Sequence, residues 1–214
     1  MYSKIQYISQ GTTVSEQLTN IEKVLDAGCD WIQLRFKNAT ENELINSAES
    51  VKKLCEKYKA TFIVNDHVEL AKKINADGVH LGLQDTSIKN ARAILGSKKI
   101  IGGTANTLND VLKRVEEKCD YIGLGPFAFT ITKEKLSPVL GIEGYQKIMN
   151  ELQKINISIP IYAIGGIELE DVESIVNTGV YGIAVSGLIT HHNNKRILFE
   201  QLNQQLNAVI KHSR

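Results

Sequence analysis

GCDWIQL at 28–34 has three echoes further along the chain: NADGVHLG at 75–82, KCDYIGLG at 118–125 and TGVYGIAVSG at 178–187. In each, a small or apolar residue (Cys29, Ala76, Cys119, Val180) stands at the same place before a short apolar run. Four copies of one corner predict a repeated supersecondary unit. Reading outward from them, short β-branched runs predict strands at Ile5–Ser9, Trp31–Lys37, Thr61–Asp66, Gly78–Gly82, Ile100–Ala105, Tyr121–Pro126, Ile159–Gly166 and Gly182–Gly187. Between and after them, segments such as ENELINSAESVKKLCEKYK, TLNDVLKRVEEK and KRILFEQLNQQLNAVIK carry apolar residues three and four apart, the period of an amphipathic helix. Eight βα units of roughly 27 residues each predict one domain over residues 1–214, a compact single-domain (β/α)8 TIM barrel. An open doubly wound sheet would need a G-x-G-x-x-G turn after its first strand, and SQGTTVS at 9–15 lacks it.

Composition narrows the function classes. The chain has 214 residues, with 25 Lys and Arg against 24 Asp and Glu, a net charge of +1 that offers no single-sign field for nucleic acid or a membrane surface. With 43% hydrophobic and 23% charged residues it can bury a sizeable core. No apolar run reaches a membrane-spanning length, and MYSKIQYISQG lacks a signal-peptide core, so a cytoplasmic protein is expected. Cys29, Cys55 and Cys119 form no CxxC pair and are expected to be buried thiols.

In a barrel, alternate strand residues face inward and active sites form at the carboxyl ends of the strands. In WIQLRFK, Ile32, Leu34 and Phe36 then pack under the helices, while Gln33, Arg35 and Lys37 line the mouth. Buried cations need carboxylates or an anionic ligand. Strand three ends in Asn65 and Asp66, and Asp85 lies just past strand four. The two carboxylates are candidates for Mg²⁺, which takes hard oxygen ligands, and equally for helix caps, with Asp66 and Glu69 as a capping pair. His80 reads as an interior, hydrogen-bonded histidine. The long stretch from Gly125 to Gly141 has the character of a binding loop, hydroxyl-rich and cationic at Thr130, Thr132 and Lys133. Gly165, Gly166, Ser186 and Gly187 converge where many barrels hold a phosphate, glycines admitting backbone N–H groups and a following helix N-terminus adding its dipole. Two anionic groups are therefore expected at one mouth.

Six motifs in register resemble the thiamine-phosphate synthase family: QLRFK at 33–37, VND at 64–66, ADGVHLG with Asp85, GP with T-x-T-K at 125–133, AIGGI at 163–167 and AVSG at 184–187. The resemblance implies a transferase of thiamine biosynthesis. It would move a pyrimidine methyl group from its diphosphate ester to the ring nitrogen of a thiazole phosphate and release pyrophosphate. By position, Gln33, Leu34, Arg35, Phe36, Lys37, Asn65 and Lys133 would hold the pyrimidine diphosphate, and Thr104 would touch the pyrimidine. Asp66 and Asp85 would bind Mg²⁺ as cofactor. Thr130, Ile131, Thr132, Gly166, Val185 and Ser186 would meet the thiazole phosphate, and Arg35, Lys37 and Lys133 would be catalytic. The implied partners are these small-molecule substrates, with no nucleic acid and no membrane; the sequence leaves room for a homo-oligomer. Ala128 and Phe129 before the first threonine, and Asn106 where a histidine is common, depart from the family pattern. A thiazole tautomerase on a related barrel carries a histidine near the position of Pro126, which this chain lacks. A barrel that binds thiamine precursors without catalysis would have little reason to keep Arg35, Lys37, Asp66, Asp85 and Lys133 together.

Overall fold

A computed structural model describes residues 2–129 and 138–208. Its order is β1 (Ile5–Ile8), α1 (Val14–Asp26), β2 (Trp31–Leu34), α2 (Glu41–Tyr58), β3 (Thr61–Asn65), α3 (Val68–Lys73), β4 (Gly78–Leu81), α4 (Ile88–Leu95), β5 (Ile100–Ala105), α5 (Leu108–Glu116), β6 (Tyr121–Leu124), α6 (Gly141–Lys154), β7 (Ile161–Ile164), α7 (Val172–Asn177), β8 (Gly182–Val185), α8 (Gly187–Thr190) and α9 (Lys195–Ala208). The strands pair in parallel in sequence order, and β8 closes on β1 through Ile5↔Ile183 and Tyr7↔Val185. The protein is a single eight-stranded (β/α)8 barrel.

The four sequence echoes are the same structural corner. Cys29, Ala76, Cys119 and Val180 are all buried where a helix hands over to a strand. At two of these corners an aspartate ties the turn to the preceding strand, Asp77 Oδ2 accepting from Phe62 N–H and Asp120 Oδ2 from Ile101 N–H. All three cysteines are free and buried, and loss of water pushes each thiol up to about 12, so none is poised as a nucleophile.

All the strands but β5, which spans Ile100–Ala105 as expected, stop short of the expected ends. The motif residues Arg35–Lys37, Asp66, Gly165 and Gly166 lie just past the ladder, because there the backbone turns away to build the mouth. Arg35 N–H, for example, donates to Ser9 Oγ at 2.9 Å in place of a strand carbonyl. At the opposite end the barrel is sealed by Trp31, Tyr121 and Tyr162, whose rings meet edge to face with centroids 5.1–5.6 Å apart. With this end packed solid, ligands have access from the carboxyl ends of the strands. Among the described residues no helix is long and apolar enough to cross a membrane.

Candidate active site

The mouth divides into two regions. On the side of β2, β3 and β4, Lys37 Nζ lies 3.2 Å from Asp66 Oδ2. The Asp66 carboxyl also faces Asp85. Loss of water on its inner side, and then the neighbouring Asp66, raise the Asp85 pKa above the ordinary carboxylate range, with Gly82 N–H and Lys37 acting in the opposite sense. Two carboxylates held against each other are a donor set suited to a hard divalent cation. Among the described residues no group of three or more His, Cys, Asp or Glu forms a metal cluster, so the candidate is this pair alone.

Neither aspartate caps a helix, which corrects the alternative left open by spacing. The cap position of α3 is His67, without a side-chain bond, and the cap of α4 is Ser87, whose Oγ accepts from Asn90 N–H. A cap needs extended backbone leading into the helix. Asp66 instead sits at φ 64° inside a tight turn closed by His67 N–H donating to the Asn65 carbonyl at 2.8 Å. That left-handed conformation is unfavourable for a residue with a side chain and is held by Asp66 N–H donating to the His80 carbonyl. Asp85 Oδ2 accepts from Gly82 N–H at 2.6 Å, folding its loop back on the end of β4.

On the side of β7 and β8 a cavity of about 560 Å³ opens. Arg35, Gly165, Gly166, Val185, Ser186 and His192 are among the residues on its wall. Gly165 and Gly166 have φ of 88° and 68°, and a Cβ on Gly166 would lie 2.7 Å from the Phe129 carbonyl oxygen. Only glycine fits there, so the backbone is free to approach an anion. The helix contribution is smaller than the sequence implies. The helix after β8 is one turn of four residues, and a 3-10 segment at Leu169–Asp171 separates Gly166 from α7. A short helix carries little dipole, which leaves the work to local N–H groups.

Of the other expected site residues, Gln33 is buried at the barrel centre beside Gln6. Thr104 Oγ1 lies 3.0 Å from His80 Nε2, and His80 is indeed interior and hydrogen-bonded. Leu34 and Phe36 are packed in the core under the helices, so their backbone groups are what they can offer a ligand. Asn65 ends β3 in register with His80. Thr130, Ile131, Thr132 and Lys133 lie outside the described residues. Asn106, at the departure from the family pattern, donates from Nδ2 to the Gly125 carbonyl and ties β5 to the segment after β6.

Sequence reasoning missed several supporting residues. Arg114 on α5 is almost wholly buried and donates to the carbonyls of Thr104 at 3.0 Å and Gly82 at 2.9 Å. An arginine in phase with Val111 on the buried face of α5 was the available signal. His191, His192 and Glu168 on the cavity wall follow from no local pattern.

A parallel barrel with a cationic and acidic rim facing a glycine-built cavity defines an enzyme that handles phosphorylated substrates at the carboxyl ends of its strands. A family model described as thiamine monophosphate synthase matches residues 6–189. The chain is 58% identical over 208 residues to a thiamine-phosphate synthase of Flavobacterium johnsoniae, covering 97% of this chain and 98% of the relative. It is 62% identical over 206 residues to the thiamine-phosphate synthase of Flavobacterium psychrophilum, covering 96% and 100%. Among solved structures, thiamine phosphate pyrophosphorylase from Pyrococcus furiosus superposes with a TM-score of 0.83 at 30% identity, covering 97% of this chain and 96% of that one. The chain belongs to the thiamine monophosphate synthase family.

Proposed function

We propose that the protein is a transferase carrying out the thiamine-phosphate synthase reaction. It moves the pyrimidinylmethyl group of hydroxymethylpyrimidine diphosphate to the ring nitrogen of hydroxyethylthiazole phosphate, the C–O bond breaking so that the oxygen leaves with pyrophosphate. The observation that carries this reading is the pairing, at one barrel mouth, of the Lys37–Asp66–Asp85 rim with the Arg35- and glycine-lined cavity across from it. Each suits one phosphorylated partner, and the family match supplies the reaction.

In this reading Gln33, Arg35, Lys37, Asn65 and Lys133, with the backbone of Leu34 and Phe36, hold the pyrimidine diphosphate. Asp66 and Asp85 hold Mg²⁺. When bound, the ion supplies charge neutralisation for the diphosphate oxygens. Arg35, Lys37 and Lys133 add positive charge where the leaving oxygens gather negative charge, the dominant form of catalysis when a good leaving group must depart. Gly166 and the Val185–Ser186 backbone, with Thr130, Ile131 and Thr132, hold the thiazole phosphate so that its nitrogen meets the pyrimidine carbon at close range. No nucleophilic side chain or general base is required. A tautomerase, by contrast, needs a proton-transferring group, and the chain has proline at 126.

The test is direct. Purified protein given both substrates and Mg²⁺ is expected to form thiamine phosphate and pyrophosphate in equal amounts, and chelation of the metal is expected to stop it; absence of product would overturn the assignment. A second expectation concerns the cavity. Gly166→Ala drives a Cβ against the Ala128 and Phe129 carbonyls. It should raise the KM for thiazole phosphate about tenfold or more, the size of one lost charged hydrogen bond, with a smaller change for the pyrimidine substrate. Initial rates against each substrate decide it.

A further inference from the structure

Between the aromatic seal and the mouth, five side chains from five strands form one hydrogen-bonded line. Gln33 Nε2 donates to Gln6 Oε1 at 2.8 Å, and Gln6 Nε2 donates to the Tyr121 hydroxyl at 3.1 Å. The Tyr121 hydroxyl lies 3.0 Å from His80 Nδ1, and His80 Nε2 lies 3.0 Å from Thr104 Oγ1. All five residues are buried, and two glycines make room for the rings. A Cβ on Gly102 would lie 2.2 Å from Tyr121 Cζ, and one on Gly123 would lie 3.1 Å from His80 Cε1.

The line has a direction. The Tyr121 oxygen receives a hydrogen from Gln6, and a phenol hydrogen donated to His80 Nδ1 gives both groups of that contact a role. Burial raises the Tyr121 pKa and keeps that hydrogen in place. With Nδ1 accepting, His80 carries its own proton on Nε2 and donates to Thr104 Oγ1. In that arrangement the Thr104 hydroxyl hydrogen is available to a ligand. At the other end, Gln33 spends an N–H on Gln6 and keeps its carbonyl oxygen as an acceptor.

We propose that Tyr121 and His80 are positioning residues that fix the Thr104 hydroxyl as a hydrogen-bond donor and thereby select an aminopyrimidine over its oxo counterpart. The chemistry is one of matching: the ring nitrogen beside an exocyclic amine is an acceptor, whereas the ring nitrogen beside an oxo group carries hydrogen and meets the donor with a donor. A buried line of this kind cannot reverse at one member without reversing every bond in it. The inference rests on the pyrimidine binding at this mouth, as proposed above.

Two measurements test it. In ¹⁵N-histidine NMR of the ligand-free protein, with the His80 signal assigned by its loss in His80→Asn, the proton is expected on Nε2; a proton on Nδ1 would mean the line runs the other way and overturns the proposal. In kinetics, Tyr121→Phe is expected to raise the KM for the aminopyrimidine diphosphate roughly fivefold, the effect of one hydrogen bond, leave the KM for thiazole phosphate unchanged and weaken the preference for amino over oxo substrate. Thr104→Val should do the same, and the double variant should be no worse than Thr104→Val alone. Additive losses, or equal losses toward both substrates, would mark Tyr121 as merely structural and sink the idea. Should Tyr121→Phe not fold, the tautomer and the amino-to-oxo preference of Thr104→Val still decide. A wild-type protein that turns over neither pyrimidine would instead overturn the functional reading, with the His80 tautomer still reporting the direction of the line.

Discussion

Asp85→Asn is expected to abolish metal-dependent turnover, lowering kcat/KM by about 100-fold or more, while leaving the metal-free protein as stable as before or more so at neutral pH. The two halves of that expectation have one cause. The Asp85 pKa is raised by loss of water and by the Asp66 carboxyl facing it. An acid whose pKa is higher folded than unfolded contributes stability in its protonated form; that contribution is complete below the ordinary carboxylate range and is lost as pH rises through the folded value. As pH rises, charge on Asp85 therefore comes at a cost to the fold, which a divalent cation bound there would offset. Asparagine keeps an oxygen to accept the Gly82 N–H and removes the charge. Thermal melts make the check independent of activity: Mg²⁺ should raise the Tm of the wild-type protein and not that of Asp85→Asn. Equal stabilisation of both by Mg²⁺ would move the metal elsewhere. A large loss of Tm in the metal-free variant would instead make Asp85 a structural residue.

The barrel was legible in the sequence because its signals are local. The longer helices have their own apolar period, and four of the corners repeat a small or apolar residue before an apolar run. The site was legible in part for the same reason, since Arg35 and Lys37 alternate with Leu34 and Phe36 where the chain runs out of β2. What sequence could not give was set by backbone conformation and by distance along the chain. Asp66 has the right spacing from Glu69 for a cap, but its left-handed backbone puts it in a turn outside the helix. Gly165 and Gly166 continue a β-branched run, yet their positive φ ends the ladder at Ile164. The line from Gln33 to Thr104 joins residues as far apart as Gln6 and Tyr121, and no periodicity reports such pairings.

Arg114 shows how far the supporting structure reaches, and Arg114→Met is expected to destabilise the protein by about 3 kcal/mol, the lower end of the range for breaking a buried ion pair. The guanidinium is 4% exposed and pairs with Glu117 at 2.8 Å, a partner 21% exposed that can turn to water when the arginine is lost. The Thr104 carbonyl has no such recourse, because its bond to the arginine is buried in the barrel wall, whereas Gly82, just past β4, is partly exposed. Methionine fills much of the volume beside Gly103 but supplies no donor, so two acceptors lose their partner. For a chain of this size the fall in Tm should be about 6–12 °C. Lysine at this position retains the charge but not the fork that reaches two carbonyls at once, and should recover only part of the loss. The functional consequence runs through Gly82. Its carbonyl is held by Arg114 and its N–H by Asp85, so slackening one side loosens the carboxylate on the other. Arg114→Met should accordingly need more Mg²⁺ for half-maximal activity, with little change in the KM for thiazole phosphate, whose cavity lies across the mouth. A Tm within a degree or two of wild type, or a metal requirement that does not move, would show that the end of β4 is held by the barrel alone.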